Sequence, residues 1–241
     1  MATQELAIPT HLGSVKVRQF GTGRRLVIAL QGKSAQEDVI DEWVPTATAL
    51  AADAGHCVLL PNLHSNPHSA PGTVNSTDVD KIICAFFHFF EATEAILMGK
   101  SWGGGEALMF AAQHPEMVTK LILVAPSLVD VTFIPKVATL PIALFWARDD
   151  PIKHFQLSAD FTKQLDQLIF HATDAGGHRI LDNYIPAVCD FVATPNVPPQ
   201  AQPFIGSISS RPSFGVCEID EAELPFETRD VELTASRKRQ S

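Results

Sequence analysis

The sequence predicts an α/β fold in which a mostly parallel sheet carries helices on both faces. Short apolar runs of strand length, such as residues 26–32 and 120–127, alternate along the chain with segments of helical periodicity. Continuous apolar strands are typical of parallel sheets, because helices bury both faces of such strands. A hydrophobic content of 46% over 241 residues is also sufficient for a sizeable core. Alternating strand and helix units therefore predict this class.

The first part of the chain adds an antiparallel element to that sheet. Residues 4–20 contain two alternating runs on either side of a glycine turn, which predicts a hairpin. The first buried strand is separated from the second, at residues 56–63, by a helix-like segment at residues 38–54. Residues 76–90 begin with Ser, Thr and Asp, which are favoured N-cap types, and continue with an apolar face at helical spacing. These elements predict a mixed sheet.

The second part continues with strands and helices in turn. Apolar runs predict strands at residues 95–98, 120–127, 141–150 and 168–175. Helix-like segments lie between or after them, beginning at Glu106 and then at residues 158–167 and 181–192. This order completes one α/β domain that we assign to residues 1–194.

The composition changes after Thr194. The next residues are rich in Pro, Gly and Ser, residues 218–232 are acidic, and a basic tripeptide lies close to the end of the sequence. No periodicity long enough to pack is present, so residues 195–241 are predicted to be a disordered tail. Such a tail is a candidate binding segment for a protein partner.

Charge and cysteine usage limit the function classes. A formal net charge of −9 and a pI near 5.4 argue against nucleic acid or an anionic membrane as the main partner. No uncharged apolar run reaches 18 residues, so no membrane insertion is expected. The N-terminal segment lacks the features of a signal peptide, and the four cysteines lack C-x-x-C or zinc-type spacing. We therefore expect thiols in a reducing compartment, a cytoplasmic location and no metal site.

A G-x-S-x-G pattern at Gly99-Lys100-Ser101-Trp102-Gly103 lies between a predicted strand and a predicted helix. In this context the serine occupies a strained turn that projects its hydroxyl above the sheet. The flanking Gly99 and Gly103 must then lack a Cβ that would collide with neighbouring elements. The helix N-terminus supplies backbone N–H groups beside any oxyanion that forms. The alternative is a glycine-rich turn that only starts a helix.

Partners for a serine nucleophile occur at two further strand ends. A serine hydroxyl needs a base, usually a histidine that a carboxylate holds in the right tautomer. One predicted strand ends in Asp149 and Asp150, and the next leads through two glycines into His178. The carboxyl ends of parallel strands meet at one edge of the sheet, where the glycine-flanked serine also lies. The order Ser101, Asp150, His178 is that of a Ser-Asp-His triad on an α/β sheet.

Three segments, residues 97–127, 144–152 and 176–192, resemble the nucleophile elbow, acid turn and histidine loop of the α/β-hydrolase superfamily. The resemblance covers roughly residues 14–193. It implies that the serine is the nucleophile, that the histidine is general base and then acid, and that an aspartate orients the histidine. Members commonly carry G-x-x-D-P at the acid turn, which favours Asp150, with Asp149 as a cap or a solvated neighbour.

The resemblance also implies an oxyanion hole of two backbone N–H groups. One belongs to Trp102, which follows the nucleophile, and the other to Lys33 in the loop after the first buried strand. Many members carry His-Gly before the second donor, whereas this chain has Gln31-Gly32. The replacement of histidine by Gln31 leaves the Lys33 N–H available as a donor, but it changes the local geometry around that donor.

Most hydrolases of this superfamily insert a lid before the acid strand, but here only residues 129–140 are available. Such a segment is too short for a helical cap, so an open site is expected, with Trp43, Trp102 and Phe133 as candidate lining residues. The resemblance is to small lidless carboxylesterases, thioesterases and dienelactone-hydrolase-like proteins. It implies a serine hydrolase for a small ester, thioester or displayed acyl group, without a cofactor. A binding or scaffold protein on the same fold is the alternative, and acyl transfer to an alcohol or amine is a third.

Overall fold

The computed structural model of the protein describes residues 3–33, 37–52, 55–63, 74–128 and 130–195. Within these residues one sheet has the strand order β1-β2-β4-β3-β5-β6-β7-β8. The strands are β1 Thr3–Thr10, β2 Gly13–Phe20, β3 Arg25–Leu30, β4 His56–Asn62, β5 Ala95–Lys100, β6 Val118–Val124, β7 Ile142–Ala147 and β8 Leu168–Thr173. Strand β2 pairs antiparallel with β1 and β4, and the other neighbours are parallel. The predicted mixed α/β sheet with an N-terminal hairpin is confirmed.

Helices cover both faces of this sheet. The α-helices are α1 Val44–Ala52, α2 Ser76–Phe89, α3 Trp102–Gln113, α4 Ala159–Thr162 and α5 Ile185–Ala193. Short 3-10 helices occur at Glu37–Trp43, Val131–Phe133, Pro135–Val137, Phe155–Ser158 and Asp182–Tyr184. Helices α2 and α3 contribute to one apolar core, and α1 and α5 contribute to the other.

Strand β3 is continuously apolar from Leu26 onwards because both of its faces are covered. Leu26, Ile28 and Leu30 belong to the core beneath α2 and α3, whereas Val27 and Ala29 belong to the core beneath α1 and α5. Successive side chains of a strand point to opposite faces, so the positions of β3 from Leu26 to Leu30 are apolar on both sides. The covered strands hold the loops at their carboxyl ends in fixed positions.

The predicted helices differ from the observed ones at their ends, and α2 and α4 are two examples. Helix α2 is capped by Asn75, one residue before the predicted Ser, Thr and Asp. The Asn75 side chain accepts a hydrogen bond from the Asp78 N–H at 3.0 Å, and Asp78 accepts one from the Asn75 N–H at 3.1 Å. The helix predicted over 158–167 is reduced to α4, because the chain enters β8 at Leu168.

The segment between β6 and β7 is as short as the sequence predicts. Residues 130–140 form two 3-10 turns, at Val131–Phe133 and Pro135–Val137. Ile134 is fully buried and fixes this segment to the core beneath α2 and α3. The described part of the segment therefore contains no helical cap.

Several predictions concern residues beyond this description. The proposed tail lies outside the described residues apart from its first residue, Pro195. No helix in the described ranges has the length and apolar content needed to cross a membrane. The sequence analysis predicted that the cysteines are free thiols. This is confirmed for Cys57 and Cys189, which are free, and wrong for Cys84, which is disulfide-bonded.

Lys120 of β6 fixes the C-terminus of α5. Its side chain is 4% exposed, and Nζ donates to the carbonyl oxygens of Phe191 at 2.6 Å, Val192 at 3.1 Å and Thr194. The last carbonyls of a helix have no helical partner, and a cation there also interacts favourably with the helix dipole. Burial lowers the pKa of Lys120, and Arg25 contributes to the same direction.

We expect Lys120→Met to destabilise the domain, because it keeps most of the apolar stem but leaves buried carbonyl groups unsatisfied. The free energy of unfolding should fall by about 2 kcal/mol. The Tm should then fall by roughly 4–8 °C, measured by thermal unfolding. Lys16→Met, at an exposed position of β2, is the control and should leave the Tm unchanged. Equal melting of both variants would contradict the capping role.

Candidate active site

Ser101 lies on a strained turn between β5 and α3. Its φ of 51° and ψ of −118° are unfavourable for a residue with a side chain. The Ser101 N–H donates to the Val124 carbonyl at 2.9 Å, and its carbonyl accepts from the N–H groups of Gly105 at 3.1 Å and Ser127 at 2.7 Å. These three bonds hold the strained conformation that places the hydroxyl at the carboxyl edge of the sheet.

The glycines around Ser101 are required by close backbone contacts. A Cβ atom added to Gly99 would lie 2.3 Å from the Gly103 carbonyl oxygen. One added to Gly103 would lie 2.4 Å from the Gln31 oxygen, and one on Gly105 would lie 2.1 Å from the Ser127 oxygen. Gly99 and Gly103 are therefore glycines because a Cβ atom would collide with neighbouring backbone, as the sequence predicted.

Asp150 and His178 are joined by a short hydrogen bond. The Asp150 side chain is fully buried, and its Oδ2 lies 2.7 Å from His178 Nδ1. Its Oδ1 accepts from the N–H groups of Ile152 and Lys153, both at 2.8 Å. These two donors orient the carboxylate, so Oδ2 faces the imidazole.

The second ring nitrogen of His178, Nε2, can act as a base. In the tautomer that donates from Nδ1 of His178 to the Asp150 carboxylate, Nε2 is the acceptor. Nε2 is buried and makes no hydrogen bond within the described part of the chain. The arrangement leaves one basic nitrogen ready to take a proton from a hydroxyl group or from water.

Asp149 binds the loop that carries His178. Its carboxylate accepts hydrogen bonds from the N–H groups of Gly177 at 2.8 Å and Gly176 at 3.2 Å. These bonds, that of Gly177 above all, lower the pKa of Asp149. A lowered pKa stabilises the fold above the unfolded value, about 3.9, and this contribution is lost as the pH falls further. Asp149 therefore acts as a cap for the histidine loop rather than as a partner of the imidazole.

The loop after β3 runs against the nucleophile. A Cβ atom added to Gly32 would lie 3.6 Å from the Ser101 Cβ, so the Gly32 backbone is close to the serine. The exposed Lys33 follows directly, and the half-buried Trp102 follows Ser101 on the other side. The residues proposed as oxyanion donors thus flank the serine. Gln31 is buried, and its Oε1 has no hydrogen-bond partner among the described residues.

Glu106 is a buried carboxyl group beside the motif that the sequence analysis did not single out. It lies on α3 and accepts a hydrogen bond from Ser76 Oγ at 3.0 Å. Burial raises the pKa of Glu106, while hydrogen bonds from Ser76 and Trp102 and the charge of Lys33 oppose this. A single acidic residue in an otherwise apolar helix was the signal that would have identified it.

Lys100 and Glu42 form a second group that the sequence analysis missed. Lys100 is 5% exposed, and its Nζ lies 2.7 and 2.5 Å from the two carboxylate oxygens of Glu42. The available signal was a lysine at the end of a strand that is otherwise apolar. The partner was not recognisable, because it lies 58 residues away in sequence.

The candidate lining residues divide into two groups. Trp43 is 1% exposed and donates from Nε1 to the Leu30 carbonyl at 3.1 Å, so it is a core residue and not a lining residue. Trp102 and Phe133 are half-buried and pack against the core beneath α2 and α3. These two remain candidates for contact with a substrate.

One group of residues in the described ranges has the side-chain types of a metal site. Ligand atoms of Asp80, Cys84 and His114 lie within 4.8 Å of one another between α2 and α3. His114 Nε2 already pairs with Asp80 Oδ1 at 2.8 Å, and Cys84 is disulfide-bonded. A disulfide sulfur is not the thiolate that metals bind. The Asp80–His114 pair connects α2 to the C-cap residue of α3.

Comparison with known proteins supports the fold described above. A family profile described as alpha/beta hydrolase fold matches residues 37–140. No curated protein sequence matches the chain significantly. Among solved structures, the chain is similar to a predicted CIB-like hydrolase from Thermoplasma acidophilum, with 21% identity and a TM-score of 0.70. That match covers 80% of this chain and 98% of the other.

Two further structures are similar at lower identity. The serine hydrolase CarC, involved in carbazole degradation, has 16% identity and a TM-score of 0.67, with 79% of this chain and 99% of that chain covered. Naproxen esterase from Bacillus subtilis has 12% identity and a TM-score of 0.65, with 79% and 90% covered. The profile and these structures agree on the fold of the chain, which is the α/β-hydrolase fold.

Proposed function

We propose that the protein is a serine hydrolase that cleaves small esters, thioesters or displayed acyl groups through an acyl-enzyme on Ser101. The observation that carries this proposal is the imidazole of His178. It is fixed on one side by the buried Asp150, and on the other side it presents a buried Nε2 without a hydrogen bond. Both residues follow strands that end at the same sheet edge as the strained Ser101 turn.

In the proposed mechanism, Ser101 Oγ attacks the acyl carbon while His178 Nε2 takes the hydroxyl proton. The N–H groups of Trp102 and Lys33 stabilise the negative charge on the former carbonyl oxygen. The bond to the leaving group then breaks, and the imidazolium returns its proton to the departing alcohol or thiol. Water attacks the acyl-enzyme with the same base, and the free acid and Ser101 are released.

The substrate class follows from the surroundings of the site. The described part of the segment between β6 and β7 contains only short 3-10 turns. An acyl group on a small molecule or displayed on a larger one therefore fits better than a long chain that needs a covering helix. One similar structure is an esterase by description. The proposed chemistry requires no metal or organic cofactor, and the cytoplasmic location stays a prediction from sequence.

Gln31 favours the alternative, a binding or scaffold protein on the same fold. It occupies the position where many members carry histidine, and its buried amide oxygen has no partner among the described residues. A tail that binds a protein partner would suit this alternative as well. Acyl transfer to an alcohol or amine uses the same residues and differs only in the acceptor.

We expect a fluorophosphonate probe to label the wild-type protein and to leave Ser101→Ala unlabelled. The probe reacts with serine hydroxyl groups that a base has activated, so His178→Ala should also lose labelling. Labelling is measured by fluorescence in a gel or by intact-protein mass. Ser127→Ala, next to the elbow, is the control and should label as the wild type. A folded wild type that resists the probe would favour the binding-protein alternative.

A further inference from the structure

A partly buried ion pair lies at the junction of the three loops that carry the proposed chemistry. Lys100 directly precedes Ser101, and its ammonium group binds both carboxylate oxygens of Glu42. Glu42 belongs to the 3-10 helix Glu37–Trp43, which follows the Lys33 loop along the chain. Charged side chains are rare in the interior of an α/β domain, so the position of this pair is informative.

The pair touches each of the three loops. The Lys100 stem passes the Gly32 backbone, since a Cβ atom added to Gly32 would lie 3.9 Å from Lys100 Cδ. The Glu42 Oε2 atom also accepts a hydrogen bond from the Ile180 N–H at 3.4 Å. Ile180 lies two residues after His178. One carboxylate therefore connects the serine strand, through Lys100, to the histidine loop.

The energetics argue for a positioning role more than for a stabilising one. Burying two charges costs free energy that their attraction returns only when the geometry is good, so an apolar pair of similar size is often as stable. Here Lys100 makes a two-point contact with Glu42, and Glu42 is about one-third exposed. Such a pair fixes the orientation and the separation of the two segments that carry Lys100 and Glu42, because each side chain restricts the rotamers of the other.

We propose that the Lys100–Glu42 pair is a positioning clamp that sets the separation of Ser101 and His178. This inference rests on the proposed function, because the separation matters only if the serine and the imidazole react together. The clamp acts with the Asp149 cap, which holds the same loop from the other end. Displacement of a reacting group by about 1 Å costs on the order of 100-fold in rate, so a loosened loop has a measurable effect.

The test compares Glu42→Gln, Lys100→Met and the double variant with wild type, using p-nitrophenyl acetate and hydrogen exchange of residues 176–184. We expect each single variant to lower kcat by roughly 10- to 100-fold with little change in KM, because binding of the small ester does not use the pair. The double variant should lose about as much as either single variant, because both remove the same contact. Lys100→Arg should restore part of the loss.

Asp41→Asn is the matched control. Asp41 is the neighbour of Glu42 on the same 3-10 helix and pairs with Arg18 on the surface. Its replacement removes one ion pair beside the clamp, and both kcat and the exchange of residues 176–184 should stay at the wild-type value. Lower stability without a change in kcat or exchange for Glu42→Gln would overturn the clamp.

Hydrogen exchange separates this inference from the proposed function. Faster exchange of residues 176–184 in Glu42→Gln supports the clamp even if the wild type neither cleaves esters nor reacts with the probe. In that case the proposed function fails while the loop contact stands. Unchanged exchange together with unchanged kcat in an active protein would overturn the clamp alone.

Discussion

Asp150→Asn should lower kcat by about 10,000-fold, because an amide at this position cannot hold His178 in the tautomer that leaves Nε2 free. Asparagine keeps the size of the side chain, so the two N–H groups that bind Oδ1 still find an acceptor. The amide nitrogen would face the imidazole as a donor, and the ring would have to place its acceptor there. The measurement is steady-state hydrolysis of p-nitrophenyl acetate, with fluorophosphonate labelling as a second measure.

Asp149→Asn is the matched comparison for this prediction. It should reduce kcat by about tenfold or less, since an amide oxygen still accepts one of the two loop N–H groups. The Tm of both variants shows whether they are folded. A larger loss for Asp149→Asn than for Asp150→Asn would exchange the roles that we give to these neighbouring carboxylates.

Gly103→Ala should destabilise the fold and inactivate the site together. The added methyl group would lie 2.4 Å from the Gln31 oxygen and 2.7 Å from the Leu30 oxygen, which are main-chain atoms that cannot rotate away. We expect the free energy of unfolding to fall by about 3 kcal/mol. The Tm should fall by roughly 10 °C, because a domain of this size loses a few degrees per kcal/mol. Labelling of Ser101 should be largely lost, since the Lys33 loop must move.

Gly32→Ala is the control, because its added methyl group would meet the Ser101 Cβ at an ordinary 3.6 Å. Gly32 also has no positive φ that would oppose a side chain. The Tm of this variant should lie within a few degrees of wild type, measured by the same unfolding assay. Similar losses at Gly32 and Gly103 would show that the contact with the Gln31 oxygen is not the cause.

The fold was predictable because its signals are local. A strand buried on both faces needs an uninterrupted apolar run, and β3 and β5 both have one. The position of the serine turn followed from a pattern in which Gly99 and Gly103 have steric reasons to be glycine. The order of Asp150 and His178 then followed from the strand ends. Each of these inferences uses only residues close together in sequence.

The contacts between loops were not predictable, because their partners are far apart in sequence. Glu42 and Ile180 are separated by 138 residues, and Lys120 and Phe191 by 71. A lysine at the end of an apolar strand shows that a partner is needed and does not show which one. The shortened α4 has a similar cause, because the need to enter β8 overrides a helix-like sequence.

The position of β8 at the edge of the sheet has a consequence for heat inactivation. Among the described residues this strand pairs only with β7, and its side chains are half-buried or exposed throughout. Edge elements with few buried contacts open locally at a lower free energy than the whole domain. His178 follows this strand, so fraying at one edge would separate the base from Ser101 while the central sheet remained intact. Loss of activity on heating would then measure the local stability of this edge strand, and the core would melt at a higher temperature.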